Sequence, residues 1–237
     1  MISVVIRTFN EEAGLPRLLD GLSAQRERDF ELVVVDSGST DRTREIALGF
    51  RGAPVRLVNL ERFTYGGSLN VGLAAARGEY VAFLSAHVEL LSDDWLGEMR
   101  RACAERGVAG AFSRQVSWSN SPLYERFFVW WMYGRNMHVP GLASFSFTNA
   151  ATMIRRVHWI TRPFDETLPA CEDYEWATRV MRDGYRLVWV GSVGVRHSHH
   201  EDFTRFLARR DREGRVLLRV IRDRFRSLPQ PESVAVP

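Results

Sequence analysis

Five clusters of side chains in this 237-residue chain carry groups that can do chemistry. Thr8-Phe9-Asn10-Glu11 and Asp36-Ser37-Gly38-Ser39-Thr40-Asp41 combine carboxylates with hydroxyls, and Phe9 adds an aromatic ring. A carboxylate accepts hydrogen bonds from a ribose or a base and a ring stacks on a base, so together they suit a nucleotide. Taken alone, Asp36 to Asp41 also reads as a tight turn and helix cap. Ser85-Ala86-His87 and Arg196-His197-Ser198-His199-His200 supply imidazoles, which ligate divalent transition metals when neutral, although the His run also suits an exposed loop. Glu172-Asp173 opens a helical pattern, where carboxylates ordinarily complement the helix dipole. All 32 basic residues are Arg. Lysine chemistry such as a Schiff base is therefore excluded, and a bound anion must be met by guanidinium or metal.

These clusters follow predicted strands. Nearly unbroken apolar runs, as in parallel strands buried on both faces, predict strands over Ser3–Arg7, Glu31–Asp36, Val55–Asn59, Glu79–Leu84 and Val108–Phe112. Helical spacing predicts helices over 12–26, 41–50, 67–77 and 93–105, with cap residues at Ser39-Thr40-Asp41 and Ser92-Asp93-Asp94. Alternating strands and helices give an α/β class with a mostly parallel central sheet, whose ligand crevice lies at the carboxyl ends of the strands. Three strand ends thus deliver polar groups to one crevice. From Ser113 to Phe147 the periodicity dissolves into an aromatic-rich segment. Beyond it come a helix at about 172–183 stopped by Gly184, strands over Arg186–Val190 and Val193–Arg196, a helical pattern over 203–225, and a Pro- and Ser-containing tail at 227–237.

Composition agrees with an ordinary folded domain: 45% hydrophobic, 26% charged and 11% aromatic residues exclude a disordered, collagen-like or disulfide-stapled chain. Two cysteines, Cys103 and Cys171, are too few for a disulfide framework, so a reducing cytoplasm is the default. The first residues lack the pattern of a signal peptide, and the longest apolar run, Phe127 to Tyr133, is far short of the roughly 20 residues that span a bilayer. The net charge of +3 is uneven, with nine Arg against five acids between Glu201 and Arg226. That segment reads as a basic amphipathic helix packing its apolar stripe on the domain, or docking an anionic membrane with help from the Phe127–Tyr133 run. The aromatic run equally suits an acceptor-sugar platform or a homodimer contact. A coating of nucleic acid does not fit a near-neutral remainder.

Val4-Val5-Ile6-Arg7-Thr8-Phe9-Asn10-Glu11 with Leu32-Val33-Val34-Val35-Asp36-Ser37-Gly38-Ser39-Thr40-Asp41 resembles the nucleotide-sugar-binding half of glycosyltransferase family 2, which has the GT-A fold. Further matches are Phe63-Thr64-Tyr65-Gly66-Gly67-Ser68-Leu69-Asn70-Val71-Gly72, Ala76-Arg77-Gly78-Glu79-Tyr80, Pro163-Phe164-Asp165-Glu166 and Glu172-Asp173-Tyr174-Glu175-Trp176, in the family's order over about residues 2–200. The Tyr65-Gly66 to Asn70 and Leu84-Ser85-Ala86-His87 variants are most similar to its bacterial rhamnosyltransferase-like branch.

The resemblance implies an inverting transfer of sugar from a nucleoside diphosphate sugar to the hydroxyl of a glycan, a lipid-linked molecule or a small molecule. It implies one domain over 1–226, with a nucleotide-sugar half (1–112), an acceptor and catalytic half (113–200) and a C-terminal helical extension (201–226). Thr8, Phe9, Asn10, Glu11, Asp36, Asn70, Ser85, Ala86, His87 and Asn149 then map to the nucleotide sugar, and Asp173 to the general base, with Glu172 as runner-up or acceptor contact. Asp41 and Thr43 are left as cap residues, and Trp176 is either core or a wall of the acceptor site. Most members carry Asp-x-Asp where this chain has Ser85-Ala86-His87, so a Mn²⁺ or Mg²⁺ ion would rest on His87 with His197 or His199, with weakened affinity, or be dispensable. Arg77 and the Arg205, Arg209, Arg210 group become partners for the diphosphate. The expected place is the cytoplasm, including the inner face of the membrane. A sugar nucleotidyltransferase would need a Gly-rich basic loop after the first strand, and a silent nucleotide-sugar or glycan-binding module would not need Glu172-Asp173.

Overall fold

A computed structural model describes residues 1–134, 146–199 and 201–226, so the expected tail at 227–237 lies outside the described residues, as do His200 and part of the aromatic segment. Eight strands form one sheet: β1 (Ile2–Thr8), β2 (Phe30–Asp36), β3 (Val55–Asn59), β4 (Tyr80–Ser85), β5 (Glu89–Leu90), β6 (Val108–Val116), β7 (Ala151–Arg155) and β8 (Arg186–Arg196). Their spatial order is β3-β2-β1-β4-β7-β6-β8-β5. The β1–β2, β1–β4, β2–β3 and β6–β8 ladders are parallel, while β7 runs antiparallel to both β4 and β6 and β5 runs antiparallel to β8.

The predicted strands of the first half are found almost residue for residue, because Val and Ile runs sealed on both faces can satisfy their backbone only in a central parallel sheet. Two expectations change. The strands over 186–190 and 193–196 are one strand, β8, with a register break where Ser113 faces Val190 and Arg114 faces Gly194. Helix α5 (Leu123–Met132) occupies part of the stretch without periodicity, and strand β7, which the pattern does not predict, follows it.

Helices α1 (Leu15–Ser23), α2 (Thr43–Gly49), α3 (Tyr65–Ala75) and α4 (Trp95–Ala104) cross between strands of the first half, and α6 (Arg156–Thr161), α7 (Glu172–Arg182) and α8 (Phe203–Arg226) follow α5. Helix α3 starts earlier than its pattern suggests because the Thr64 hydroxyl accepts the Gly67 amide at 2.9 Å and caps it. Helix α8 buries Phe206 and Val216, the latter against Leu168 and Ala170, which agrees with an amphipathic helix packed on the domain. Two apolar clusters sandwich the sheet, one built on α1 and α4 with Trp95, the other on α3 and α7 with Trp176. No helix among the described residues is long and apolar enough to cross a membrane.

The second layer is tight where α3 crosses β1 and β2. A Cβ on Gly72 would lie 2.5 Å from Val5 Cγ1 and 3.2 Å from Val35 Cγ2, both on buried side chains. Gly72→Ala therefore overpacks the interface and should cost about 1–3 kcal/mol. A thermal melt checks this, and an unchanged Tm would contradict the packing described.

Candidate functional site

At the C-terminal side of the sheet a cleft of 560 Å³ collects residues from β1, β4, β6, the 147–150 loop, α5, α7, α8 and the segment after β8. Helix α7 supplies its carboxylates through an unusual entry. Cys171, just before it, sits at φ 60°, a left-handed conformation that costs a side-chain-bearing residue roughly 1–2 kcal/mol. The turn sets both carboxylates against the 147–150 loop, with the Asn149 amide donating to Asp173 Oδ2 at 3.1 Å and Asn149 Nδ2 to Glu172 Oε1 at 3.3 Å. Arg7, at the end of β1, lies 3.5 Å from Glu172 Oε1 and donates to the Tyr65 carbonyl at 3.2 Å. Glu172 is buried; Asp173 faces the cleft. Burial and the neighbouring Glu172 charge push the Asp173 carboxyl up to about 7, against the Asn149 and Tyr174 amides and Arg7. Asn149 Oδ1 is buried on the same wall with no hydrogen-bond partner.

Three imidazoles form the second part of the site. His87, following β4, and His197 and His199, following β8, bring ring nitrogens within 4.8 Å of one another. His87 Nδ1 faces Glu11 Oε1 at 3.2 Å, and His197 Nδ1 faces Gln115 Oε1 at 3.0 Å. With Nδ1 of both rings donating to these oxygens, the two Nε2 lone pairs would face each other across 3.2 Å. Such facing lone pairs repel unless a proton or a cation lies between them. Burial and the positive surroundings of His199, His87 and Arg209 hold His197 well below the ordinary histidine range, which favours its neutral, metal-ligating form. Position 14 is glycine at the start of this arrangement because a Cβ there would sit 2.7 Å from His87 Cβ.

The nucleoside residues gather at the ends of β1 and β2. Asp36 is buried, and its oxygens accept from Thr8 Oγ1 (2.9 Å), Ser39 Oγ (2.5 Å), the Ser39 amide (3.0 Å) and the Gly38 amide (3.2 Å). Burial opposes its charge, but those bonds outweigh it and keep the carboxyl below the usual range. Asp36 is thus the knot that ties the two loops together. Asn10, at φ 54°, accepts the Thr40 amide at 2.8 Å, and Phe9 is 60% exposed, leaving its ring open to stack. Asp41 Oδ1 accepts the Thr43 amide at 3.0 Å at the start of α2, whereas Thr43, expected as a cap, ties in the loop after β1, its Oγ1 accepting the Glu11 amide at 2.7 Å.

Several expected residues are placed elsewhere. Trp176 is fully buried, stacked on Phe147 with its Nε1 donating to the Arg162 carbonyl at 2.8 Å, so it is core and cannot touch an acceptor. Asn70 has its amide spent on the Phe164 carbonyl (2.9 Å), Glu166 (2.8 Å), Trp159 Nε1 (2.8 Å) and the Phe164 amide (3.0 Å); it clamps α3 to the segment after α6 and is not among the residues lining the cleft. Ala86 is sealed in the core beneath His87, while Ser85 lines the cleft. Arg77 is exposed beside Ser3 at the opposite end of β1, and Arg205 pairs with Asp202 away from the cleft, whereas Arg209 and Arg210 line it. Lining residues that escaped the sequence reading include Arg7, Gln115, Glu125, Arg212 and Glu213. Arg7 and Gln115 had a signal, a polar residue inside an otherwise buried strand.

Residues 3–159 match the family model described as Glycosyl transferase family 2. The chain belongs to glycosyltransferase family 2. It is 24% identical over 226 residues to an O-antigen chain rhamnosyltransferase of Salmonella typhimurium, covering 86% of this chain and 70% of that protein. It is 40% identical over 88 residues to a glycosyltransferase of Nostoc, covering 36% of this chain and 27% of that protein's length. A mannosyltransferase from Pyrobaculum calidifontis, solved with GDP-Man and Mn²⁺, superposes with a TM-score of 0.73 at 22% identity over 97% of this chain and 65% of its own, so this family 2 chain has the GT-A fold.

If Asn70 is a clamp, Asn70→Ala should lower the Tm, since it removes three partly buried hydrogen bonds worth about 0.5–1.5 kcal/mol each, and leave the affinity for a nucleotide sugar within twofold by calorimetry. A large loss of affinity at constant Tm would return Asn70 to the site.

Proposed function

We propose that this protein is an inverting glycosyltransferase that moves a sugar from a nucleoside diphosphate sugar to an acceptor hydroxyl, with Asp173 as general base. The observation that carries the reading is one cleft lined by a carboxyl raised to about 7 and by His197 and His199, on which His87 converges from the end of β4. A base with that pKa is substantially ionised near neutrality yet basic enough to accept a proton as the acceptor oxygen attacks the anomeric carbon. Glu172, held by Arg7 and Asn149, keeps negative charge beside Asp173 and so sustains its basicity. The orphaned Asn149 Oδ1 can accept from a hydroxyl of the donor sugar. Phe9 stacks on the base, and the Asp36 knot fixes the loop that surrounds the nucleoside.

His87, His197 and His199 fit a divalent cation, because two Nε2 atoms 3.2 Å apart await a positive charge. An imidazole set suits Mn²⁺ better than Mg²⁺. A bound ion supplies charge against the leaving diphosphate. Arg209 and Arg210 line the same cleft and offer guanidinium groups to the same oxygens. The Pyrobaculum calidifontis mannosyltransferase of the same fold was solved with Mn²⁺ and GDP-Man, which supports the choice of ion.

Asp173→Asn should lower turnover by roughly 10²- to 10⁴-fold while nucleotide-sugar binding by calorimetry persists; retained turnover would remove Asp173 as base. In the wild type, a base whose pKa is raised to about 7 is protonated and idle below it, so kcat/KM should rise with pH through that value. A pH profile flat from 5 to 8 would contradict the assignment. For the cation, EDTA should abolish transfer and Mn²⁺ restore it, and Mn²⁺ should raise the Tm of the wild type but not of His87→Ala or His197→Ala. Full activity in EDTA with no Mn²⁺-dependent shift in Tm would exclude the ion.

A further inference from the structure

Helix α5 is apolar on both faces, with Phe128, Val129 and Met132 turned toward the cleft and a second apolar stripe turned outward. Leu123, Phe127, Trp130 and Trp131 recur at the spacing of one helical stripe and are 78%, 64%, 50% and 46% exposed. The opposite face is buried and holds Glu125, whose Oε1 accepts the His199 amide at 2.7 Å. A helix that turns four large apolar side chains to water while burying a carboxylate has its outer face shaped by something other than folding. Beside the stripe a groove of 1080 Å³ runs between α5 and the end of β6. Among the described residues its lining contains Arg114, Arg126 and Arg196 and no Asp or Glu. Arg126 follows the stripe on the helix itself, and Arg114 is exposed on β6. Trp118 lies against two guanidiniums, 4.5 Å from Arg17 and 5.0 Å from Arg196.

We propose that the α5 stripe and its Arg groove form a docking surface for an anionic lipid bilayer. Aromatic and aliphatic side chains enter the headgroup boundary, and Arg residues meet the negative lipids. A second copy of this chain fits less well, because a symmetric contact would set the Arg groove against itself. The inference does not rest on the catalytic assignment. It does have a consequence for it, since Trp131 of the exposed stripe also lines the cleft, so docking would bring that rim of the cleft to the lipid surface.

The test is co-sedimentation of the full chain with vesicles of phosphatidylglycerol mixed with phosphatidylcholine, against vesicles of phosphatidylcholine alone, at low and high salt. The wild type should bind the anionic vesicles, lose affinity in salt, and bind the neutral ones weakly. Arg114→Ala with Arg126→Ala should lose on the order of tenfold in affinity for anionic vesicles, and Phe127→Ser with Trp130→Ser at least as much, with melting curves showing both folded. Should the Ser pair fail to fold, Leu123→Asn, at the most exposed position, gives the same readout. No binding by the wild type, or equal binding by wild type and variants, would overturn the proposal. So would a wild-type dimer in light scattering that the Ser pair converts to monomer, which would make the face a contact between copies.

Discussion

Two carboxylates placed side by side at the start of α7, one buried and the other lining the cleft, are the feature on which the rest of the site depends. Charged groups in such surroundings are tolerated only with partners, since desolvation and mutual repulsion both oppose them. The partners come from distant parts of the chain: Arg7 from the end of β1 and Asn149 from the loop entering β7. Arg7 is fixed in turn by the Tyr65 carbonyl at the start of α3. The central strand, the antiparallel strand and two helices are thus committed to one pair of side chains. The residue left under-compensated is Asp173, and its raised pKa is the electrostatic trace of that arrangement.

A second chain of support runs through Asp36 and Glu11. Asp36 gathers the loops after β1 and β2, and Glu11, on the first of these loops, orients His87 from behind. His197 is oriented in the same manner by Gln115 of β6. His87 and His197 therefore each have one nitrogen held by a neighbour and the other turned toward the cluster, the usual organisation of ligands around a metal. Residues expected to touch the nucleoside, Asp36 and Glu11, spend their oxygens on positioning other groups. The acidic motif missing after β4 is matched by an imidazole set assembled from two separate segments.

The first half of the fold is legible in the sequence because β1, β2 and β4 are short runs of Val, Ile, Leu and Phe flanked by helical patterns, an arrangement with few alternatives. The same runs point to the crevice, since polar residues follow them. The second half is not. β7 is five residues, Ala-Thr-Met-Ile-Arg, with no alternation to betray it, and α5 shows water an apolar face that patterning would place inside. Family motifs pointed to Asp173, which lines the cleft, and His87, which joins the imidazole cluster, and also to Asn70 and Trp176, whose side chains are engaged by Trp159, Phe164 and Phe147 and do not line the cleft. The ties that orient the imidazoles, Glu11 to His87 and Gln115 to His197, join residues 76 and 82 positions apart and have no local signature.

The central claim is that the α7 carboxyl facing the cleft is held near neutrality by its surroundings. Carbon-detected NMR titration of the protein labelled at its Asp carboxyls measures this directly. One resonance should titrate near 7 and be missing from Asp173→Asn. If every Asp carboxyl titrates below about 5, as ordinary aspartates do, the surroundings do not poise Asp173 and the proton acceptor lies elsewhere.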